Sequence, residues 1–524
     1  MRASHRVIDS RGKMIGYIVD DVFYTESYIR DNIQYINNIR MTSEGKLEEE
    51  NEVSEVSYKE GVIKKLYDEK VLENPFKRDI QMQFAAWKND PQHRVLQLEG
   101  SRQIGKTTEL QKFAYSNYEY TIYINMASDI SDFRDVIKNG ARPLEMEKYC
   151  RRAGLPHFVN DRNTVIIIDE IQQSVFIYNA IRTLQENLDC DIIITGSYLG
   201  RFLANIRKDE NEEKVFFSAG TIQQIKMDTL SFQEFSRVFE SENMLLNLNL
   251  YGEGKEEDYD KLSNLYEIYR QIGGYPAVIK EYIQSRNIKR CHRVIESLLS
   301  IFKDESRNYF TDEVEVELFD EIYDFALNQM CINHTGSDRE IIKETPAIIE
   351  NKFKNIISTK EFRNALMWLK YSGIIGTCNL ADEGKITEKT SARKIYFKDC
   401  GIAAYLTENS GIAESLVKGI LTETFVFNEL ERLFTTDYGI RKVKNKLHYG
   451  IYGNYELDFM LMDLNDTVYG IEVKTSKGDP KSLKVFIEKG LVKKGIVAKM
   501  TIGGHSQYFD TIPIYTVGCR FPYK

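Results

Sequence analysis

Proline is scarce in this chain, 9 among 524 residues, which argues against long disordered linkers. The seven cysteines (Cys150, Cys190, Cys291, Cys331, Cys378, Cys400, Cys519) stand far apart and form no CxxC pair. That spacing indicates neither a zinc ribbon nor a disulfide framework and fits the reduced thiols of a cytoplasmic protein. No apolar run approaches the ~20 residues needed to cross a bilayer. The charges of Met1-Arg-Ala-Ser-His-Arg are followed by no apolar core, so no signal peptide is expected. The expectation is a soluble chain with no membrane partner. An overall positive charge is also missing. At a net charge of −9, the whole molecule has no field that would mark a nucleic-acid binder.

What is present is ordinary for a folded protein: 42% apolar and 28% charged residues, with Tyr 32 and Phe 27 abundant. The length exceeds a single core and predicts three or four units. Charge is uneven along the chain. Glu44, Glu48, Glu49, Glu50, Glu52, Glu55 and Glu60 are set against only Lys46 and Lys59 in residues 41–60. This stretch is the best linker candidate, because mutual repulsion and few apolar groups leave little to offset the entropy of ordering. From Arg441 to Lys524 the balance reverses, 14 Lys/Arg against 8 Asp/Glu, a local excess of 14 − 8 = +6. That tail either faces phosphates or is a solvated surface.

Before the acidic stretch, Arg6-Val7-Ile8, a turn at residues 9–12, and Met14 to Val19 read as a hairpin. From about Pro75 the pattern alternates strand and helix. Apolar runs at residues 94–98, 121–125, 164–168 and 191–195 are the strands, and a helix is expected from Thr108 to Tyr115. This alternation predicts a parallel sheet with right-handed crossovers. The chain then becomes largely helical from Ser231 to about Ser300, broken at Gly273-Gly274-Tyr275-Pro276. Phe362, Leu366 and Leu369 lie on one face of a later helix that ends at Gly373. Residues 374–380 and 394–397 would be wing strands beyond it. Lys360, Arg363, Asn364 and Lys370 of that helix would meet DNA or, equally, a protein.

Gly100-Ser101-Arg102-Gln103-Ile104-Gly105-Lys106-Thr107 lies between an apolar strand and a helix. Glycines at both ends let main-chain N–H groups converge on phosphate oxygens, and the helix adds its positive end. Lys106 would reach the β- and γ-phosphates, and the Thr107 hydroxyl would ligate Mg²⁺. Ile166 to Glu170 then ends a strand in two carboxylates. Asp169 is placed to hold the magnesium shell and Glu170 to polarise water as general base. The bland alternative is a buried strand with acidic ends. Thr195 and Ser197 end the next strand, where a hydroxyl would orient the water, or where Gly196 simply makes a turn. Arg201 is either a transition-state cation or a surface residue.

The loop through Thr108, Ile168-Asp169-Glu170-Ile171-Gln172, Ile194-Thr195-Gly196-Ser197, Leu230-Ser231-Phe232-Gln233-Glu234-Phe235 and Gly273-Gly274-Tyr275-Pro276 together resemble a prokaryotic AAA/STAND-like P-loop ATPase family. Residues Arg393 to Ile402 are similar to that family's K-x-Y-F-x-D-x-G-L segment. The resemblance runs from about Pro75 to Phe509. It departs at Ser101, where Pro or Ala is more usual, and in the N-terminal hairpin and acidic stretch outside the common core. It implies ATP and Mg²⁺ as ligands, with Gly100, Arg102, Gly105, Lys106, Thr107, Thr108, Asp169, Thr195 and Ser197 around the nucleotide. It further implies a C-terminal domain of restriction-endonuclease-like fold.

Tyr455 to Leu461 and Tyr469 to Lys474 read as a hairpin whose period of two turns Glu472 and Lys474 to one face. Asp458 on the neighbouring strand would join them, and Glu423, on the helix before, matches the family's helical glutamate. The grouping resembles a PD-(D/E)xK nuclease core, which implies Asp458, Glu472 and Lys474 as the catalytic set and Glu423, Asp458 and Glu472 as metal ligands. The alternatives are a cross-strand ion pair of Lys474 with Asp458, or a nuclease fold that only binds. The expected architecture is multidomain α/β. It comprises a hairpin extension (1–40), an acidic linker (41–74), a P-loop NTPase core with a parallel sheet (75–235), and a helical lid (236–300). A helical and winged-helix unit (301–410) and a restriction-endonuclease-like α/β domain (411–524) follow. The expected function is an ATPase coupled to a DNA-directed effector. The competing one is a regulatory ATPase whose later domains bind a protein partner, or another copy of the chain, without cleavage.

Overall fold

The computed structural model describes residues 3–9, 11–19, 22–25, 48–57, 76–92, 94–128, 130–153, 155–196, 220–306, 322–327, 330, 359–387, 392–408, 410–435, 442–475 and 478–523. By contacts the chain divides into two compact units. The first is Met1–Phe76, Ile80–Gly100 and Gly105–Met227; the second is Lys77–Asp79, Ser101–Ile104 and Asp228–Lys524.

The first unit opens with β1 (Ala3–Ile8), β2 (Met14–Val19), β3 (Val22–Thr25) and β4 (Glu49–Ser57), in the sheet order β3-β2-β1-β4. The expected hairpin is the antiparallel pair β1–β2. The linker expectation is corrected by β4, which takes up the middle of the Glu-rich stretch and runs parallel to β1. Strand pairing is made by the main chain and needs few apolar side chains. The Arg6 guanidinium also stands 3.7 Å from the Glu55 carboxylate, giving that charge a partner. Val7, Ile15 and Ile18 of this sheet pack with Tyr115 and Tyr120.

The core of the unit is a wholly parallel five-stranded sheet. Its strands are β5 (Val95–Glu99), β6 (Tyr120–Asn125), β7 (Thr164–Asp169), β8 (Asp191–Thr195) and β9 (Ile222–Lys226), in the order β6-β7-β8-β5-β9. Val165, Ile166, Ile167 and Ile168 are all buried, as a central parallel strand covered on both faces requires. Each such side chain contributes roughly 1.5–3 kcal/mol of burial. The helix after β5 spans Lys106–Asn117, longer at both ends than the expected 108–115, because Gly105 begins it and Lys106 and Thr107 form its first turn.

The second unit begins with the helix Phe232–Val238, held by a reciprocal capping box between Ser231 and Glu234. Arg78 closes a buried ion pair on Glu234 at 3.0 Å. Helices Glu256–Ile272, Pro276–Ser285 and Ile288–Ser306 follow. Phe232 is the hub of an aromatic cluster with Tyr266, Tyr269, Phe425 and Tyr515. A mixed eight-stranded sheet completes the unit, built of β10 (Ile375–Asp382), β11 (Ala392–Phe397), β12 (His448–Tyr452), β13 (Tyr455–Met462), β14 (Val468–Lys474), β15 (Lys494–Lys499), β16 (Gly504–His505) and β17 (Phe509–Pro513). The order is β11-β10-β12-β13-β14-β15-β17-β16.

This order differs from the expected separate wing. The helix Thr359–Tyr371 and the antiparallel pair β10–β11 are present, but β10 also pairs in parallel with β12, so the two strands form one edge of the C-terminal sheet. Pairing with β12 satisfies main-chain groups that a free wing would leave to water. Of the four polar residues proposed on the helix, only Lys370 has a described side chain, and it is exposed.

Three sequence segments quoted for the resemblance meet around one buried acid. Asp399 accepts hydrogen bonds from the amides of Gly274 (2.7 Å), Gly401 (2.9 Å) and Ile402 (3.3 Å). Gly274 in turn accepts from the Leu230 amide at 2.9 Å, and the Tyr269 hydroxyl donates to the Leu230 carbonyl at 2.6 Å. Burial pushes the Asp399 carboxyl upward against the pull of these three amides. The motif residues here tie the helices to the sheet edge.

Candidate functional site: the phosphate loop and the carboxylate hairpin

Glycine at 105 has a local cause. The residue sits at φ +94 at the start of the helix, a conformation that a side chain would strain. Lys106 follows it, buried, with Nζ donating to the Gly100 carbonyl at 3.0 Å. Thr107 Oγ1 donates to Asp169 Oδ2 at 2.8 Å, and the Tyr123 hydroxyl donates to the same oxygen at 2.8 Å. The Glu170 amide donates to the other oxygen, Oδ1, at 2.8 Å. Burial, then the Asp169 charge, raises the Tyr123 phenol above its ordinary value, so it remains a proton donor. Lysine, hydroxyl and acid are therefore gathered at the carboxyl ends of β5 and β7, where ligands bind in open parallel sheets. The Thr107 hydroxyl and the Asp169 carboxylate form a donor set that fits Mg²⁺.

The other predicted residues are placed as follows. Gly100 and Gly105 frame the loop, and Arg102 and Thr108 are half-buried within it and at the first helical turn. Glu170 is half-buried and bonded to the Gln172 carboxamide. Thr195 is fully buried and its hydroxyl donates to the Leu98 carbonyl at 3.0 Å, a cross-strand bond from β8 to β5. Ser197 and Arg201 lie outside the described residues. The sequence alone assigns Tyr123 and Gln172 no role. Their signal was weak, a polar residue alternating along a strand and one two places after an acidic strand end.

In the second unit, β13 and β14 form the expected antiparallel hairpin. Asp458 Oδ2 accepts from the Val473 amide at 2.6 Å, so the main chain of the next strand fixes it. Lys474 pairs with Glu472 of its own strand at 2.7 Å rather than with Asp458. Glu423 accepts from the Tyr396 hydroxyl at 3.4 Å. A second lysine joins this group: Lys394 is buried, ion-paired to Glu456, and 4.8 Å above the Tyr449 ring.

Charges explain the protonation behaviour of the cluster. Burial first, then Glu472 and Glu423, raise the Asp458 carboxyl well above the usual carboxylate range. Burial raises Glu472 as well, against the opposing pull of Lys474. Burial works against the charged form of Lys394, yet Glu456, Glu423 and Asp458 outweigh it and lift the ammonium above its ordinary value. Glu472 Oε2 is buried with no hydrogen-bond partner. Among the described residues, no group of three or more His, Cys, Asp or Glu stands in position to hold a metal ion. The expected metal set of Glu423, Asp458 and Glu472 is thus not assembled as such, since a hydroxyl, an amide and an ammonium already engage its members.

Residues 92–236 match an AAA domain, and residues 263–413 match a domain of unknown function, DUF8612. The second match ends before the carboxylate hairpin. No curated protein matches the chain. Among solved structures the chain is similar to the Walker-type ATPase of Pyrococcus abyssi, at 15% identity, covering 63% of this chain and 96% of that one, with a TM-score of 0.38. It is also similar to the Aeropyrum pernix Orc1 protein in complex with DNA, at 12% identity, 66% and 92% coverage, and a TM-score of 0.27. The Thermotoga maritima RuvB Holliday junction branch migration motor is similar at 12% identity, 60% and 88% coverage, and a TM-score of 0.24. The AAA match and the loop make residues 92–236 an AAA-type P-loop ATPase domain, which supports ATP binding and hydrolysis. Among the described residues no helix is long and apolar enough to cross a membrane.

Proposed function

We propose that the chain binds and hydrolyses ATP and that this reaction controls a nuclease-like C-terminal domain acting on nucleic acid. The observation that carries the ATPase half is the meeting of Thr107, Tyr123 and Asp169 beside Lys106. In this reading the loop amides and Lys106 hold the β- and γ-phosphates, and Thr107 with Asp169 holds Mg²⁺. Bound there, Mg²⁺ would draw charge from the phosphate oxygens. Glu170 takes a proton from the attacking water as general base. Glu170→Gln is expected to retain ATP binding by calorimetry while turnover falls about 100-fold or more. Unchanged turnover in that variant removes Glu170 from the reaction.

The nuclease-like half rests on Asp458, Glu472 and Lys474 at the start of β13 and the end of β14, with Glu423 coupled to both acids. The orphaned Oε2 of Glu472 is the feature that favours cation binding. A specific observation also favours the second reading, a domain that binds a partner without cleaving. Lys474 and Lys394 already compensate the acids, and among the described residues no three-donor metal group is preassembled. Supercoiled plasmid incubated with the protein, ATP and Mg²⁺ or Mn²⁺ separates the two. Under the first reading DNA is cut, and Asp458→Ala abolishes cutting while ATP hydrolysis continues. Intact DNA under every condition leaves the second.

A further inference from the structure

Glu170 leaves β7 in a conformation that side chains seldom adopt. Its φ and ψ are +53° and +39°, left-handed, at a strain of order 1–3 kcal/mol that a fold retains where function gains by it. A single turn, Ile171–Gln173, follows, closed by the Gln173 amide on the Glu170 carbonyl at 3.0 Å and the Ser174 amide on Ile171 at 3.1 Å. That turn folds the Gln172 side chain back so that its Nε2 donates to Glu170 Oε2.

The other end of the same carboxamide lies at the tip of β8. Gln172 Oε1 is buried with no hydrogen-bond partner. A Cβ added at Gly196 would overlap Oε1, and would stand 3.1 Å from Gln172 Cδ and 3.3 Å from the Ile171 amide nitrogen. Glycine at 196 therefore answers a packing need. Any side chain there would expel the carboxamide that holds Glu170. Leaving a carboxamide oxygen orphaned carries a desolvation cost of about 1–3 kcal/mol, which a purely structural glutamine would avoid by turning toward water.

We propose that Gln172 is a positioning residue of the ATP site, aiming the Glu170 carboxylate, and that Gly196 exists to give Gln172 room. This rests on the reading of Glu170 as general base. The carboxamide engages one carboxylate oxygen and leaves the base role to Oε1. It also links the aim of the base to the end of β8, which lies beside β5, the strand that leads into the phosphate loop.

Steady-state ATP hydrolysis by the full chain with Mg²⁺ tests this. Gln172→Ala is expected to lower kcat about 10–30-fold, the scale of losing orientation of a reacting group, with KM for ATP within about twofold of the parent. Gly196→Ala should match it, because the new methyl displaces the same carboxamide. The double variant should be no slower than either single one, since a displaced group cannot be lost twice. ATP binding by calorimetry, retained in each, verifies folding; if Gly196→Ala fails to fold, Gln172→Ala and Gln172→Leu carry the test. A Gln172→Ala kcat within twofold of the parent, or losses that multiply in the double variant, overturns the proposal. If Glu170→Gln turns over as fast as the parent, the general-base reading fails and takes this one with it. Slow Glu170→Gln beside normal Gln172→Ala defeats the positioning role alone.

Discussion

The phosphate loop and the carboxylate hairpin invest charge in opposite ways. At the loop, one buried ammonium rests on a carbonyl, and Asp169 is held by two hydroxyls and an amide. Such a site sets a positive charge beside converging main-chain amides and is built to receive a polyanion. At the hairpin, the acids crowd one another and two lysines are drawn in to compensate. Burial raises Asp458 and Glu472 together, the signature of carboxyls whose ionised forms lack enough partners. One region is poised for phosphate; the other stores repulsion that a cation or proton relieves. Perturbed acids of this kind cluster at functional sites, although structural ion-pair networks perturb them too.

The largest test of this contrast is Lys106→Ala. Removing the ammonium bonded to the Gly100 carbonyl should lower ATP turnover by at least about 100-fold and weaken nucleotide binding, read by calorimetry. A variant that binds and hydrolyses ATP normally would falsify the phosphate-binding role of Lys106. Next comes Lys394→Met in the hairpin region. It leaves buried Glu423 and half-buried Asp458 and Glu456 without their ammonium, so urea unfolding should show a loss of about 3 kcal/mol. A neutral result would mean that the acids are already protonated and that no compensation is needed.

Asp458→Asn sharpens the comparison with the opposite sign. The folded Asp458 carboxyl lies above its unfolded value, so the fold favours the protonated acid. Its contribution is fully present below the ordinary carboxylate range, near 4, and is lost as pH rises through the raised folded value. The asparagine variant is free of that loss. At pH 7 it should melt roughly 3 °C higher, the effect of about 1 kcal/mol in a domain of this size. The gap should close as pH falls below about 4. A variant that melts lower at pH 7 would assign Asp458 a stabilising charge and remove the stored repulsion.

How much of this was readable beforehand follows from the range of the forces. Parallel strands declare themselves as apolar runs, and the loop lies in eight consecutive residues, so both could be read locally. The hairpin of Asp458, Glu472 and Lys474 was legible for the same reason, through period-two alternation. Long-range pairing was not. Nothing near Asn379 says that it will pair with β12, so the joining of the expected wing strands to the C-terminal sheet could not be read locally. The acidic stretch misled because strand formation by Glu49–Ser57 depends on β1, some forty residues earlier, and on Arg6 opposite Glu55. Lys394 and Tyr396 were quoted within a motif, but their bonds to Glu456 and Glu423 exist only in the fold. The strand-end hydroxyl of Thr195 was read as facing nucleotide, yet it is spent on the Leu98 carbonyl.

The smallest expected effect bears on whether the loop region is as lightly compensated as the comparison holds. Tyr123→Phe deletes one of two hydroxyl donors to Asp169 Oδ2 and leaves the Thr107 bond in place. The acceptor keeps a partner, so no orphaned charge results and the cost should stay near 1 kcal/mol, the net worth of an ordinary hydrogen bond. Turnover should fall by no more than about threefold, because Thr107 and Asp169 remain side by side and only the angle of the carboxylate loosens. If Tyr123→Phe instead costs as much as Lys394→Met, Asp169 depends on its donors as heavily as the hairpin acids depend on their lysines. The two regions would then differ in the sign of the charge they await, and no longer in how tightly that charge is already bound.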